Sequence, residues 1–379
     1  MKRLHKKEPN KNNRILRFHP LLILLMIACL NVGCSHNQSH GIRHGITSPS
    51  LSPDNKTILF AYCQDTTDNT ACELARYEIA TGKIERFKPA EYRINSSPAY
   101  SPSGKQIAFA ARNSDQESHI FIADVDGKNA RQVTNTNMQK EGKKSDESLR
   151  YDVMPSFSPD GGRIIYKRAA LWRKRTYPLT GEMPTHWDIF TVDLATGIER
   201  RLTNFRFYKM SKPSYLPDGK RFIFSASGPK PVNGKEPVNA EEYKKQYQDN
   251  TIFIWDENNQ LFQPAITQGW YSSDPSVSAD GNILFDAVTN TMDGLPSDPY
   301  NYDLFLYKDG KTLRLTKMGA RILQSSISHD GSMAVFLADV NNPRTNRISL
   351  WLVNTDGTGL VEMNIPWEQL KQTVVKHLK

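Results

Sequence analysis

Nine histidines and four cysteines are the first candidates for chemistry in this 379-residue chain. His36, His40 and His44 recur every fourth residue, a spacing that could hold a metal on one helical face. The polar residues around them lack the apolar period of a helix, so they read as a tether. His119, His186, His329 and His377 are scattered, too few and too far apart in sequence for a histidine-bound metal. Asp124-Val-Asp126-Gly127 opens like a calcium loop, but the remaining ligands are missing and a turn accounts for it. No Gly-x-Ser-x-Gly elbow, His-Glu-x-x-His helix or Walker loop is present. The sequence therefore predicts no catalytic residue, no resident metal and no cofactor.

What remains is binding chemistry. Trp172, Arg173, Arg175 and Tyr177 stand within six residues, with His186 and Trp187 shortly after. Arg206, Tyr208, Lys209 and Lys212 follow, then Trp270, Tyr271 and Asp274. Aromatics interleaved with basic groups are a common composition of binding hot spots. The competing account is that the aromatics pack these segments onto the fold and the charges are solvated. Cys63 and Cys72 stand nine residues apart and could close a short disulfide loop; the alternative is two reduced, partly buried thiols.

The elements that position these residues are set by a repeat. Pro155-Ser-Phe-Ser-Pro-Asp-Gly161 leads into Arg163-Ile-Ile-Tyr166, and related units begin at Pro49, Pro98, Pro213, Pro275 and Ser325. The marker residues Ser52, Ser101, Ser158, Leu216, Ser278 and Ser328 lie 49 to 62 residues apart. Each unit continues with an alternating apolar run such as His119 to Ala123 or Asp188 to Val192, a turn, and a short polar strand ending in Leu-Thr or its equivalent. Alternating β-branched and aromatic residues make strands, and Asp-Gly makes tight turns. Two hairpins per unit give a four-stranded antiparallel sheet. Six such sheets predict an all-β fold, a six-bladed β-propeller over residues 47–366. Small residues (Ser50, Ala99, Ser156, Ser214, Ser276, Ser326) suit a crowded innermost strand. Either Gly41 to Thr47 or the tail at 367–379 could complete the last blade.

In this arrangement the Pro-Asp-Gly and Asp-Gly turns share one face. The long insertions Asn135 to Arg150, Lys167 to Trp187, Gly228 to Asn250 and Thr289 to Tyr302 share the other. The aromatic and basic candidates therefore gather on one loop-rich face, around blades 3 to 5. Long loops on a rigid scaffold are where function concentrates.

Residues 1–33 stand outside the fold. A basic stretch precedes the apolar run Leu21 to Leu30, which is shorter than the ~20 residues needed to span a bilayer. It ends at Val32-Gly33-Cys34-Ser35, which resembles the lipobox of bacterial lipoproteins. That resemblance implies lipidation of Cys34, a tether over 34–46, and a lipid-anchored envelope protein, with Ser35 pointing to an outer-membrane destination facing the periplasm. Cys29 is a competing site, and an uncleaved membrane anchor is the alternative. The chain carries a net charge of +9, but outside the first 34 residues 42 basic side chains face 39 acidic ones. The high net charge is then mostly a targeting signal and not a nucleic-acid footprint.

Ser-Pro-Asp-Gly followed by Ile-Phe-x-x-Asp-x-x-x-Gly-x-x-x-x-Leu-Thr resembles the repeat of TolB-type propellers, over about residues 46–365. The resemblance implies a non-enzymatic scaffold whose partner is an envelope protein or a cell-wall or envelope polymer. TolB itself carries an α/β domain before its propeller, whereas here only Ser35 to Thr47 lie between the export segment and the first unit. Similar propellers precede the hydrolase domain of prolyl oligopeptidases, a domain not expected after the sixth unit. Oligogalacturonate lyases use a similar propeller. By that resemblance the alternative function is an enzyme or sensor acting on an acidic glycan, with Arg173, Arg175 and Lys212 as anion contacts.

Overall fold

The computed structural model describes residues 44–65, 70–112, 117–134, 151–175, 181–204, 207, 209–227, 250–256, 262–264, 270–289, 291–292, 295–296, 301–340 and 348–372. Among these residues the strands group into consecutive antiparallel units of four, the first three joined into one 12-stranded sheet by single parallel pairs, Cys72 with Ile94 and Ser118 with Tyr151. Blade 1 comprises His44–Leu51, Thr57–Asp65, Thr70–Glu78 and Ile84–Phe87; blade 2 comprises Ile94–Tyr100, Gln106–Arg112, Ser118–Asp124 and Arg131–Gln132. Blade 3 comprises Tyr151–Phe157, Arg163–Arg175, Gly181–Asp193 and Glu199–Arg201. In blade 4 the first strand is broken at Pro213 into Lys209–Met210 and Ser214–Tyr215, followed by Arg221–Ser227, Asn250–Asp256 and Phe262–Pro264. Blade 5 comprises Trp270–Val277, Ile283–Val288, Tyr302–Lys308 and Lys311–Arg314, and blade 6 Arg321–Ile327, Met333–Asp339, Ser349–Asn354 and Val361–Glu362.

Two recurring side-chain clips explain the repeat. In blade 3, Ser158 Oγ donates to Asp160 Oδ1 at 2.5 Å and accepts from Arg163 N at 2.9 Å, closing the turn between the first two strands. Blades 1 and 6 repeat it with Ser52 to Asp54 at 2.6 Å and Ser328 to Asp330 at 2.7 Å. Gly161 takes a φ of 73° in this turn; Asn55 takes 59° in blade 1, a residue that tolerates the left-handed region. The second clip explains the Leu-Thr signature. Thr203 Oγ1 donates to buried Asp188 at 2.8 Å and accepts from Ile189 N at 2.9 Å. Thr316 and Asp303 make the same pair at 2.9 Å. These are buried polar groups satisfied locally, which pins the outer strand to its neighbour.

The apolar core lies between blades. One cluster joins blades 6 and 1 through Phe60, Tyr62, Val335 and Leu337; others join blades 1 and 2, 4 and 5, and 5 and 6, and a larger one spans blades 2 to 4. The innermost strands touch in succession around the axis, and the first strand of blade 6 meets that of blade 1. Across that seam Thr47 Oγ1 donates to Gln324 Oε1 at 2.9 Å and Asn55 Nδ2 to Asp330 Oδ2 at 2.8 Å. The ring thus closes between complete units: blade 6 takes its four strands from consecutive chain. The strand of blade 1 starts at His44, slightly before the expected boundary at 47. A helix, α1 (Trp367–Gln372), lies on the seam, with Leu370 fully buried among residues of blades 1 and 6. Arg86 donates to the Leu370 carbonyl.

Candidate functional site

The innermost strands carry a repeated bulge. Ser48, Ser97, Met154 and Asp274 each precede a proline and have φ of 55°, 52°, 57° and 46°. Non-glycine residues pay of order 1–3 kcal/mol for such a backbone, so four copies mark a feature the fold imposes. Register shifts accompany it, between Thr47 and Ser50, Ser96 and Ala99, and Ser273 and Ser276. The same position is Lys212 in blade 4 and Gln324 in blade 6. On the second strand, the residue after the repeated aromatic is Ala61, Ala110, Lys167, Ser225, Asp286 or Leu337. Charge therefore enters these two rings only at Lys167, Lys212, Asp274 and Asp286. Lys209 and Arg321 stand near the starts of the first strands of blades 4 and 6.

The structure brings these six residues together. Lys167 of blade 3 and Asp274 of blade 5 act on each other's charge although blade 4 separates their sheets, which puts their meeting place at the channel. Lys209 and Arg321 place the cluster toward the end of the channel where the first strands begin, while Lys212, Asp274 and Asp286 stand midway along their blades. Lys167 is 5% exposed; its Nζ donates to the Met210 carbonyl at 2.7 Å and lies 4.3 Å from the Trp187 ring centroid. Asp286 is 1% exposed and accepts from Ser273 Oγ at 2.6 Å through Oδ2, while its Oδ1 is buried without a hydrogen-bond partner. Asp274 and Lys212 are half-buried, with their charged ends deep among protein atoms.

Burial dominates the electrostatics. It pushes the Asp274 carboxyl up to about 6, against the pull of Lys209, Lys167 and Lys212. It raises Asp286 well above the carboxylate range, with the charge of Asp274 adding to the effect. It brings Lys167 down to about 7 and Lys212 to about 8, both held up by Asp274. Lys209 is lowered for the same reason. A desolvated cluster of this kind is the usual mark of a functional site.

Beside this cluster, blade 3 departs from the other blades. Its two central strands have 13 residues each, where those of blade 2 have 7. Beyond Ala169, which pairs with Trp187, the ladder continues from Leu171 opposite Thr185 to Arg175 opposite Gly181. The insertion expected as a loop between Lys167 and Trp187 is thus a two-stranded ribbon, extending roughly 15 Å past the blade at ~3.3 Å per residue. Its base is fixed by a buried network. Arg168 binds both oxygens of Asp152, its Nη2 donates to Glu199 Oε2 at 2.6 Å, and Tyr166 OH donates to the same Glu199 oxygen at 2.6 Å. The Arg168 guanidinium also covers the Phe190 ring at 4.5 Å.

The sequence candidates separate accordingly. Trp172, Arg173 and Arg175 are ribbon residues, opposite Pro184, Met183 and Gly181; His186 is on the returning strand, and the side chains of all four lie outside the described residues. Tyr177, Tyr208 and Cys34 lie outside them altogether. Trp270 and Tyr271 are in the first strand of blade 5, Trp270 opposite Val288, again without a described side chain. Lys212 joins the channel cluster. Trp187 needs correction as a surface contact: it is 3% exposed, pairs with Phe207 and packs edge-on to Tyr151, because the ribbon starts beyond it. Its aromatic mass fills the seam toward blade 4. Cys63 and Cys72 face each other across the hairpin of blade 1 and are joined, with Cα atoms 4.1 Å apart. His119 is buried at the place that Asp188 and Asp303 occupy in other blades, beside Thr134.

No family model matches the chain. Among curated proteins, the Tol-Pal system protein TolB of Francisella tularensis subsp. mediasiatica (strain FSC147) is 25% identical over 248 residues, 65% of this chain and 46% of that protein. Its counterpart in subsp. holarctica (strain LVS) matches to the same extent. The crystal structure of TolB from Acinetobacter baumannii superposes with a TM-score of 0.52 at 22% identity, covering 79% of this chain and 61% of that one. The chain is a TolB-like β-propeller. It spans about half the length of the curated TolB proteins it matches. An oligogalacturonate lyase of Vibrio parahaemolyticus has a TM-score of 0.51 at 12% identity over 83% of this chain and 75% of its own, a likeness of fold alone.

Proposed function

We propose that this TolB-like propeller is a non-enzymatic scaffold of the bacterial cell envelope that binds a protein partner through its loop-rich face. It is held to the membrane by a lipid on Cys34, and its place is the periplasmic side of the outer membrane. The observation that carries this reading is the blade 3 ribbon: a continuation of the blade's own ladder in two 13-residue strands, the longest among the described residues, where the insertion of blade 5 shows only a separate two-residue pair, Thr291–Met292 with Leu295–Pro296. Its residues Trp172, Arg173 and Arg175 have the composition of interface hot spots. The likeness to Tol-Pal system proteins supports an envelope partner.

The test replaces residues 171–185 by Asn-Gly, a two-residue hairpin turn that rejoins Ala170 to His186. The ribbon-free lipoprotein is expected to melt within a few degrees of the parent and to lose the protein captured by the full-length lipoprotein from solubilised envelopes. Capture unchanged by this replacement would remove the ribbon from the interface.

A further inference from the structure

We infer that the channel is a binding site for a carboxylate group, held by Lys167, Lys209 and Lys212 beside Asp274 and Asp286. The charge balance is the first argument. Three lysines surround two carboxylates, Arg321 facing Asp339 across its own blade, and among the described residues neither Lys209 nor Lys212 stands within ion-pair distance of a carboxylate. Excess positive charge held away from water is costly unless an anion completes it. The second argument is the orphan oxygen. Asp286 is almost fully buried, Ser273 occupies its Oδ2, and its Oδ1 has no partner. Burial raises this carboxyl well above its ordinary value, which favours its protonated form, and in that form Oδ1 can donate a hydrogen bond to a guest oxygen. A site of ammonium and carboxyl donors around one fixed carboxylate suits a singly charged guest. A dianion such as phosphate would meet repulsion from Asp274, and a metal cation would meet the lysines. The chemistry is thus that of a carboxylate, either free or carried by a peptide segment.

This inference rests on the channel and not on the ribbon. The experiment titrates the full-length protein by calorimetry with butyrate, a capped pentapeptide carrying one glutamate, its glutamine analogue and inorganic phosphate. Butyrate or the glutamate peptide should bind, the glutamine peptide should not, and phosphate should bind more weakly. Lys209→Gln and Lys212→Gln should each weaken carboxylate binding by about tenfold or more, and Asp286→Asn, which keeps a donor, should retain it. A tighter glutamate peptide identifies a partner segment as the source; equal affinities identify a free carboxylate. Thermal melts report whether the variants fold, and the parent protein alone is decisive if they do not. No binding of either carboxylate probe to the parent, tighter binding of phosphate, or affinity unchanged in both folded lysine variants would overturn the site. The ribbon-free protein should bind carboxylates normally, so a failed scaffold reading and a failed channel site are told apart.

Discussion

At the residue scale, Lys167 and Arg168 illustrate two fates of a buried cation. Arg168 is matched by Asp152 and Glu199, and its planar fork uses both carboxylates. Removing one partner of such a network leaves charge uncompensated. Asp152→Ala is therefore expected to cost about 3–5 kcal/mol in denaturant unfolding; a change within about 0.5 kcal/mol would mark the network as dispensable. Among the described residues Lys167 has the Met210 carbonyl and the Trp187 face as its close polar and cation–π partners, and its stability effect should depend on pH. Its ammonium titrates at about 7 in the folded protein against 10.5 when unperturbed. Below about 7 it is charged in both states and the burial penalty is complete. Between about 7 and 10.5 the unfolded chain binds the extra proton, so this group makes stability rise with pH, by at most ~1.4 kcal/mol per unit. Lys167→Met should raise the melting temperature at pH 7, with a gain that shrinks toward pH 10. Parallel pH profiles for the two proteins would contradict the depressed lysine. The sequence singles out Lys212 but not Lys167 or Asp286. Their signal exists only when six copies are aligned and the residue after each aromatic is compared, and the bulge that turns these positions toward the channel has no motif of its own.

At the scale of the elements, the turns and the short outer strands were legible because their chemistry is local. Ser-x-Asp makes its own clip two residues away, and Leu-Thr closes on an aspartate one hairpin earlier. The ribbon was not, because Pro178, Gly181 and Pro184 interrupt the alternation that identifies a strand; its pairing is carried by register with the blade below. Trp187 departs from expectation for a related reason: an insertion beginning at Lys167 would put it in a loop, whereas the blade ladder continues through Lys167 and Trp187. The blade 1 hairpin gives a sharper test. With Cys63 opposite Cys72 in register, thiol labelling of the unreduced, denatured protein should find neither reactive, and reduction should cost at most ~3 kcal/mol for so short a loop. Labelling at both positions would show that the bridge does not form in the cell.

Over the whole molecule, the all-β propeller fold followed from the repeat, but the closure did not. Neither Gly41 to Thr47 nor the tail adds a strand to blade 6 within the described residues; side chains such as Gln324 and the helix at 367–372 secure the seam instead. That leaves the two ends of the channel chemically unlike. Among the described residues one face is a set of short, self-satisfied turns, and the blade 3 ribbon extends from the other. The proposed function confines partner binding to the second face. Site-specific photo-crosslinking in living cells separates the two faces, with a photoreactive residue placed at position 173 on the ribbon or at Lys105, an exposed position on the short-turn face. A discrete crosslinked envelope protein is expected from position 173 and none from position 105; crosslinks from position 105 alone, or the same product from both, would place the partner elsewhere.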